Sequence, residues 1–356
     1  ELGVHLTIHP ILRVQRDAEG RLIHLFDTNE TGPEVLSESY IQIEFDRITD
    51  ANWLERIDRR VNTALGDVKA ATSDWRKMLA QAASIREEFA QDAPPGVDPE
   101  DLAEANELLN WMTEDNFTFL GYREYRLERS GSQVALVPLS DSGLGILRGP
   151  GSINPQSDNP ALDKAIRKQA RSNDAVIITK ANSRSTVHRP AHLDYIGVKT
   201  YDENGNVSGE KRFLGLFTSV AYSRSPREIP ILRHKVEQIM KRSGLVPSSH
   251  GGKALMHILE HYPRDELFQS TIEDLARIAD GILGLQERQR VKLFVRRDTF
   301  RRFFSCLVFA PREKYNTDVR QRIEKILLEG MKGLSVESEV QLSDSNLARL
   351  YLIVRT

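Results

Sequence analysis

The sequence predicts an α+β chain made of several modules, and three observations carry that reading. At 356 residues it is too long for one ordinary domain. Strand-like alternation and helix-like periodicity fall in separate blocks, as they do in α+β proteins. The stretch DAPPGVDPED has linker composition and separates the first two blocks.

The opening block contains HLTIHPILRVQRD, a turn at DAEG, and ESYIQIEFDRI. Apolar and polar residues alternate there, so it reads as two strands. Asp50 then offers a helix N-cap, and Trp53, Ile57, Val61, Leu65 and Val68 follow at helical spacing. Trp75, Leu79, Ala82, Ile85 and Phe89 continue the stripe, and Gly66-Asp67 offers a place for a kink. The stripe reads as a core face, and the helix's length suits a connector or a self-association surface. Residues 1–93 are taken as one partial module with its connector helix.

Residues 94–223 form the next block. Asp98-Pro99-Glu100-Asp101 starts a helix, and FTFLGYREYRLE and SQVALVPLS read as a hairpin. An irregular loop is expected from Ser140 to Pro160, then a short helix ALDKAIRKQAR, then three strands. Asn204-Gly205 marks the hairpin between the last two of these, because it accepts positive φ. Two strands, a helix and three strands match the small sensory fold called PAS. Residues 224–288 read as a bridge of three helices, REIPILRHKVEQIMKRSG, GGKALMHILEHYP and TIEDLARIADGILGLQERQ. Residues 289–356 run VKLFVRRD, RRFFSCLVFAP, the helix TDVRQRIEKILLEGMKG, then LSVESEVQLS and LARLYLIVRT. Strand–helix–strand–strand is two-thirds of a ferredoxin-like βαββαβ unit, the architecture of ACT regulatory domains. The expected fold is therefore α+β and multi-domain: truncated ferredoxin-like ACT-type modules flank a PAS-like module, joined by helical linkers.

Composition narrows the function. A net charge of −2 gives no general pull toward nucleic acid or anionic membrane. The lone Cys306 lies in FFSCLVFA and reads as a small core residue. With no secretory h-region and no apolar run long enough to span a bilayer, a cytoplasmic location is expected. The chain starts at Glu1 without methionine and stops inside LARLYLIVRT, which reads as a stretch of a longer protein.

Several motifs invite chemistry. His257, Glu260 and His261 spell H-x-x-E-H, and on a helix the two histidines share a face, as zinc ligation requires. A third ligand is not singled out, and the neighbouring Leu255, Ile258, Leu259 and Tyr262 read as a core stripe, so the metal candidate is rejected. SGLGILRG lacks the helix that a dinucleotide fingerprint needs, and its glycines read as turn formers. In SSHGGKA, two glycines and a lysine at a helix start read as a capping segment. His188, Arg189, His192, Asp194 and Tyr195 gather around one extended segment and are candidates for a polar ligand pocket. A basic run (Arg288, Arg290, Lys292, Arg296, Arg297, Arg301, Arg302) is interleaved with Phe294, Phe300, Phe303 and Phe304. Alternation places the aromatics in a core and the arginines toward solvent or an acidic partner. No nucleophile elbow or catalytic centre is visible, so no catalytic residue is assigned.

YPRDELFQ, KRFLGLFTSVAYSRSPREIPILRHKVEQIMKRSG and NFTFLGYREYRL carry a resemblance, together with GLGIL, ANSRSTVHRP and VKLFVRRDTFRRFFSCLVFAPREKYNTDVR. They resemble the N-terminal region of the large bacterial NAD-specific glutamate dehydrogenases, across nearly the whole chain. The resemblance implies a regulatory segment with ACT-like and PAS-like modules, preceding a catalytic domain that binds NAD and oxidises L-glutamate. It further implies a homo-oligomer, contacts with that catalytic domain and a small-molecule or amino-acid effector. Neither nucleic acid nor membrane is an expected partner. The competing readings are a metal-dependent hydrolase built on HILEH and a purely structural scaffold.

Overall fold

A computed structural model describes residues 3–27, 30, 32, 34–130, 133–149, 174–285, 290–341 and 346–356. The expected helix ALDKAIRKQAR, the loop beyond Gly149, and Arg288 lie outside them. The chain divides into two units, Glu1–Thr63 and Ala64–Thr356.

The described residues of the first unit form five strands where alternation predicted two. β1 (Val4–Ile8) pairs antiparallel with β5 (Gln42–Phe45), while β2 (Ile11–Arg16) pairs with β3 (Leu22–Phe26) and β4 (Leu36–Ser39). The DAEG turn closes on itself, with Gly20 at φ +82° donating to the Asp17 carbonyl. β3 was missed because LIHLF has hardly any alternation. ESYIQIEF, read as one strand, splits because its halves pair with different partners. Only Val14 is buried among this unit's described residues, while Ile11, Leu22, Ile23 and Ile43 are more than half exposed.

Helix α1 (Ala51–Gln91) begins in the first unit, and its residues from Ala64 onward belong to the second. Asp50 accepts from the Asn52 N–H at 2.9 Å, as its cap position requires. The helix runs unbroken through Gly66: one helical glycine costs only about 1 kcal/mol and does not force a kink. The buried stripe differs from the predicted one. Ala71, Asp74, Met78, Ala82 and Ile85 are buried, whereas Val61, Leu65, Val68 and Trp75 are exposed. Apolarity pointed to Trp75; the structure buries its acidic neighbour, because Asp74 holds the GLGIL turn. That carboxylate accepts from the Gly145 N–H at 2.9 Å and from the Arg148 guanidinium. Gly145 sits at φ +58°, with no room for a Cβ against the Leu120 carbonyl.

Asp98 caps α2 (Pro99–Trp111), and a π turn at Met112–Asn116 leads into the central sheet. Its strands are β6 (Phe117–Ser130), β7 (Gln133–Pro138), β8 (Leu144–Gly145), β9 (Val176–Arg184), β10 (His192–Tyr201) and β11 (Val207–Phe217). The order is β7-β6-β11-β10-β9, all antiparallel, with β8 beside β6. The predicted hairpin joins β10 and β11, with Gly205 at φ +78° and Asp202 bonded to the Asn204 and Asn206 N–H groups. One face of the sheet packs Phe117, Phe213 and Phe217 into a core shared with α1, α2 and the following helices. The other carries Leu120, Leu147, Leu193, Tyr195, Leu214 and Leu216.

After α3 (Ser219–Ser223), the described residues of the bridge form four α-helices where three were expected: α4 (Leu232–Ser243), α5 (His250–Glu260), α6 (Arg264–Gln269) and α7 (Ile272–Leu283). The extra one, α6, is too short for periodicity to show. Ser249 caps α5 at the Gly252 N–H, as SSHGGKA suggested, and Thr271 caps α7. The last sheet is β12 (Lys292–Arg297), β13 (Phe303–Pro311), β14 (Ser335–Gln341) and β15 (Leu347–Arg355), in the order β12-β13-β15-β14. Helix α8 (Thr317–Gly330) packs on it over Cys306, Val308, Leu350, Leu352 and Val354. β13, α8, β14 and β15 form the expected strand–helix–strand–strand unit, and β12 pairs on the free side of β13. Cys306 is buried, and burial pushes its thiol up to about 12. Among the described residues no helix is long and apolar enough to cross a membrane.

Asp74 yields a stability prediction. Burial opposes its charge, but the Gly145 N–H and Arg148 hold its carboxyl below the usual range. The folded state therefore binds this proton less tightly than the unfolded one. Its stabilisation is complete above the unfolded value of about 3.9 and is lost as pH falls through the folded value. Asp74→Ala is expected to cost about 1–3 kcal/mol in urea unfolding at pH 7, with the difference from the parent chain shrinking below pH 4.

Candidate functional site

The densest set of buried charges surrounds α6, the YPRDELFQ segment. Pro263 leads into the helix, and Asp265 and Glu266 occupy its first turn. Glu266, 2 % exposed, accepts two bonds from Arg296 of β12, at 2.8 and 2.7 Å. The Tyr351 hydroxyl of β15 adds a third at 3.1 Å. Asp265 points to the central sheet, where it meets Lys180 of β9 at 3.1 Å and accepts from the Tyr222 hydroxyl at 3.0 Å. Phe268 stacks on Phe217 of β11, with centroids 4.5 Å apart and planes 7° from parallel. Arg264 donates to the Arg224 carbonyl at 2.9 Å. From α4, the Lys235 ammonium caps the helix by donating to the carbonyls of Leu267, Phe268 and Ser270. Asp265, Glu266 and Phe268 thus tie the bridge to both sheets.

A second junction lies beside it. Asp298 accepts from the Phe300 N–H and the Arg302 guanidinium, which also donates to Thr179 of β9 at 2.9 Å. Arg184 of β9 pairs with Glu337 of β14 at 2.8 Å. Arg296 and Arg302 are therefore interior ion-pair partners, where alternation had turned the basic run's arginines outward. Phe294, Phe300 and Phe303 are buried as expected, and Arg297 lies over the Phe304 ring.

The five polar candidates of 188–195 do not converge on one pocket. His188 is exposed at φ +69°, and Arg189 donates to the Phe217 carbonyl at 2.7 Å. The His192 ring sits by the Ala181 carbonyl at 3.2 Å, and burial lowers its pKa. Asp194 and Tyr195 are neighbours in β10 and so face opposite sides of the sheet. Asp194 bonds Lys180 at 2.7 Å and the Phe217 N–H at 2.9 Å. Burial raises its carboxyl despite the lysine. Tyr195 donates to Glu210. Lys180 gave no signal in the sequence, since nothing local reveals its partners on β10 and α6.

The HILEH histidines are both exposed on the end of α5. Their ring centroids lie 4.1 Å apart, and the His261 Nδ1 is engaged with the His257 carbonyl at 2.9 Å. Among the described residues no group of three or more His, Cys, Asp or Glu is arranged to hold a metal. Open clefts among the described residues include one of about 450 Å³ between α2 and the bridge, with Glu104, Arg233 and His234, and one of about 580 Å³ by Pro94, Tyr201 and Lys211.

Three family models match this chain: the glutamate dehydrogenase ACT1 domain at residues 1–61, helical motif 1 at 229–288 and the ACT2 domain at 292–356. The chain carries the ACT1-to-ACT2 region of the glutamate dehydrogenase family. It is 40 % identical to the NAD-specific glutamate dehydrogenase of Halomonas elongata and 34 % to that of Pseudomonas aeruginosa, each over 99 % of this chain. The Mycobacterium tuberculosis NAD-specific glutamate dehydrogenase is 27 % identical over 97 %. The chain spans 22 %, 22 % and 20 % of those three proteins. Among solved structures, PelD of Pseudomonas aeruginosa covers 78 % of this chain and 77 % of its own at 13 % identity, with a TM-score of 0.19. A blue-light-activated histidine kinase of Erythrobacter litoralis covers 66 % and 95 % at 10 % identity, also at 0.19. Scores that low carry no fold argument.

In these terms α6 belongs to helical motif 1, and its Glu266 reaches into ACT2. Glu266→Gln leaves Arg296 buried without a charged partner and is expected to cost about 3–5 kcal/mol in urea unfolding. The double substitution Glu266→Leu with Arg296→Met removes both charges and is expected to recover most of that loss.

Proposed function

We propose that this chain is the non-catalytic regulatory and oligomerisation segment of an NAD-dependent glutamate dehydrogenase. On this reading the parent enzyme converts L-glutamate, NAD and water to 2-oxoglutarate, ammonia and NADH. NAD then belongs to a catalytic domain elsewhere in the protein. The observation that carries the reading is similarity over 99 % of the chain to enzymes of which it spans 22 %.

The reading takes residues 94–223 as a PAS-like module. In its support, numbering the module's five long strands from β6, the sheet order is second-first-fifth-fourth-third, an arrangement shared with PAS modules. The reading also includes a cytoplasmic homo-oligomer that contacts its own catalytic domain and responds to an amino-acid or other small-molecule effector. Self-association is supported by the apolar residues that the first unit leaves exposed, Ile11, Leu22, Ile23, Leu25, Leu36 and Ile43 among them. An effector acts by preferring one arrangement of the modules, and the ion pairs around α6 are contacts through which such a preference passes from sheet to sheet.

Purified chain incubated with L-glutamate and NAD is expected to form no NADH, measured by absorbance, and to sediment as an oligomer. NADH formation would overturn the non-catalytic assignment, and a monomer at all concentrations the oligomeric one.

A further inference from the structure

Helix α1 carries two stripes, and its own chain covers one of them. The buried residues Ala71, Asp74, Met78, Ala82 and Ile85 lie within about 80° of arc, counting about 100° per residue. The second stripe is uncovered: Leu54, Val61, Leu65, Val68 and Trp75 are 43–56 % exposed. These five also lie within about 80° of one another, centred about 100° from the first stripe. A single exposed apolar side chain is ordinary, but a line of them marks a contact surface.

The spacing says what kind of surface it is. Leu54, Val61, Val68 and Trp75 recur at every seventh residue, and Leu65 falls four after Val61 and three before Val68. That is the seam of a coiled coil: a seven-residue repeat drifts by only about 20° per heptad, so it stays on one face and suits a second helix. The charges beside the seam say which helix. Asp58 and Arg76 flank it on the same side, because the 18 residues between their positions (76 − 58) make about five whole turns. Among the described residues their neighbours Glu55 and Asp74 are ion-paired, with Arg59 and with Lys77 and Arg148, whereas Asp58 and Arg76 are not. The stripe therefore offers an unpaired acid toward one end and an unpaired base toward the other.

We propose that the exposed stripe of α1 is an interface with a second copy of this chain, the two helices packing antiparallel. A two-fold contact needs a surface complementary to itself, and an acid and a base placed evenly about a midpoint supply it. Turning the second copy end for end about an axis level with residue 67 sets Asp58 of each copy against Arg76 of the other. Leu65 and Val68 of the two copies then meet at the centre. A parallel pair would instead oppose Asp58 to Asp58 and Arg76 to Arg76. The proposal rests on the self-association in the reading above and gives it a place and an orientation.

The test is sedimentation velocity of the 356-residue chain and its variants over a concentration series. Val68→Glu places a charge in the seam and is expected to keep the far-UV spectrum while weakening association at least about tenfold. Asp58→Arg alone and Arg76→Asp alone each turn two attractions into two repulsions, and each is expected to weaken association about threefold to tenfold. Both reversals together restore opposite charges and are expected to return association to the parent's strength; these exposed positions decide the matter if Val68→Glu does not fold. If the parent is an oligomer and Val68→Glu associates like it, the stripe is not the interface, although self-association stands. If the single reversals associate like the parent, the antiparallel pairing is overturned. A parent that is a monomer at every concentration overturns the interface and the oligomeric reading together.

Discussion

The second unit hangs together through the buried carboxylate of Glu266. It holds the Arg296 guanidinium with both oxygens and the Tyr351 hydroxyl with one, linking α6 to two strands of the last sheet. Breaking such a pair is far costlier than never having made it, because the remaining charge cannot reach water. The arrangement therefore specifies where the sheet docks more than it adds net stability. One residue earlier, Asp265 does the same toward the central sheet through Lys180 and Tyr222. Consecutive residues of a helix point about 100° apart, so a Asp-Glu dipeptide reaches two sheets from a single turn.

That explains the dense composition of YPRDELFQ. The tyrosine is buried, the proline starts the helix, and the arginine ties back to the chain before α4. Leu267 and Phe268 fill the shared core. An irregular phrase that obeys no simple period is what a six-residue helix at the meeting of three elements looks like in sequence. The histidines of HILEH, one helix earlier, are exposed and have no comparable surroundings.

Much of the fold was legible where one face meets a core and the other meets water. The α8 helix, the β10–β11 hairpin and the strands of the last sheet follow from periodicity and turn residues alone. Legibility failed where burial is set by partners distant in sequence. Asp74 and Arg296 are charged yet buried, and only GLGIL and α6 make that tolerable. Trp75 and Val68 are apolar yet exposed. The candidate site fared similarly: Asp194 and Tyr195 were noticed as polar, but the strand sends them to opposite faces, and Lys180 drew no notice because its partners lie on β10 and α6.

The ACT2 sheet, helical motif and central sheet share a core and a network of buried ions, so the central claim is that they open as one. Native-state hydrogen exchange followed by mass spectrometry across a urea series measures this directly. The account predicts that amides of β10–β11 and of β13–β15 exchange through a common opening, with the same free energy and the same urea dependence. If β13–β15 opens at a lower free energy than β10–β11 in the unsubstituted chain, the junction at Glu266 does not couple them and the account is contradicted.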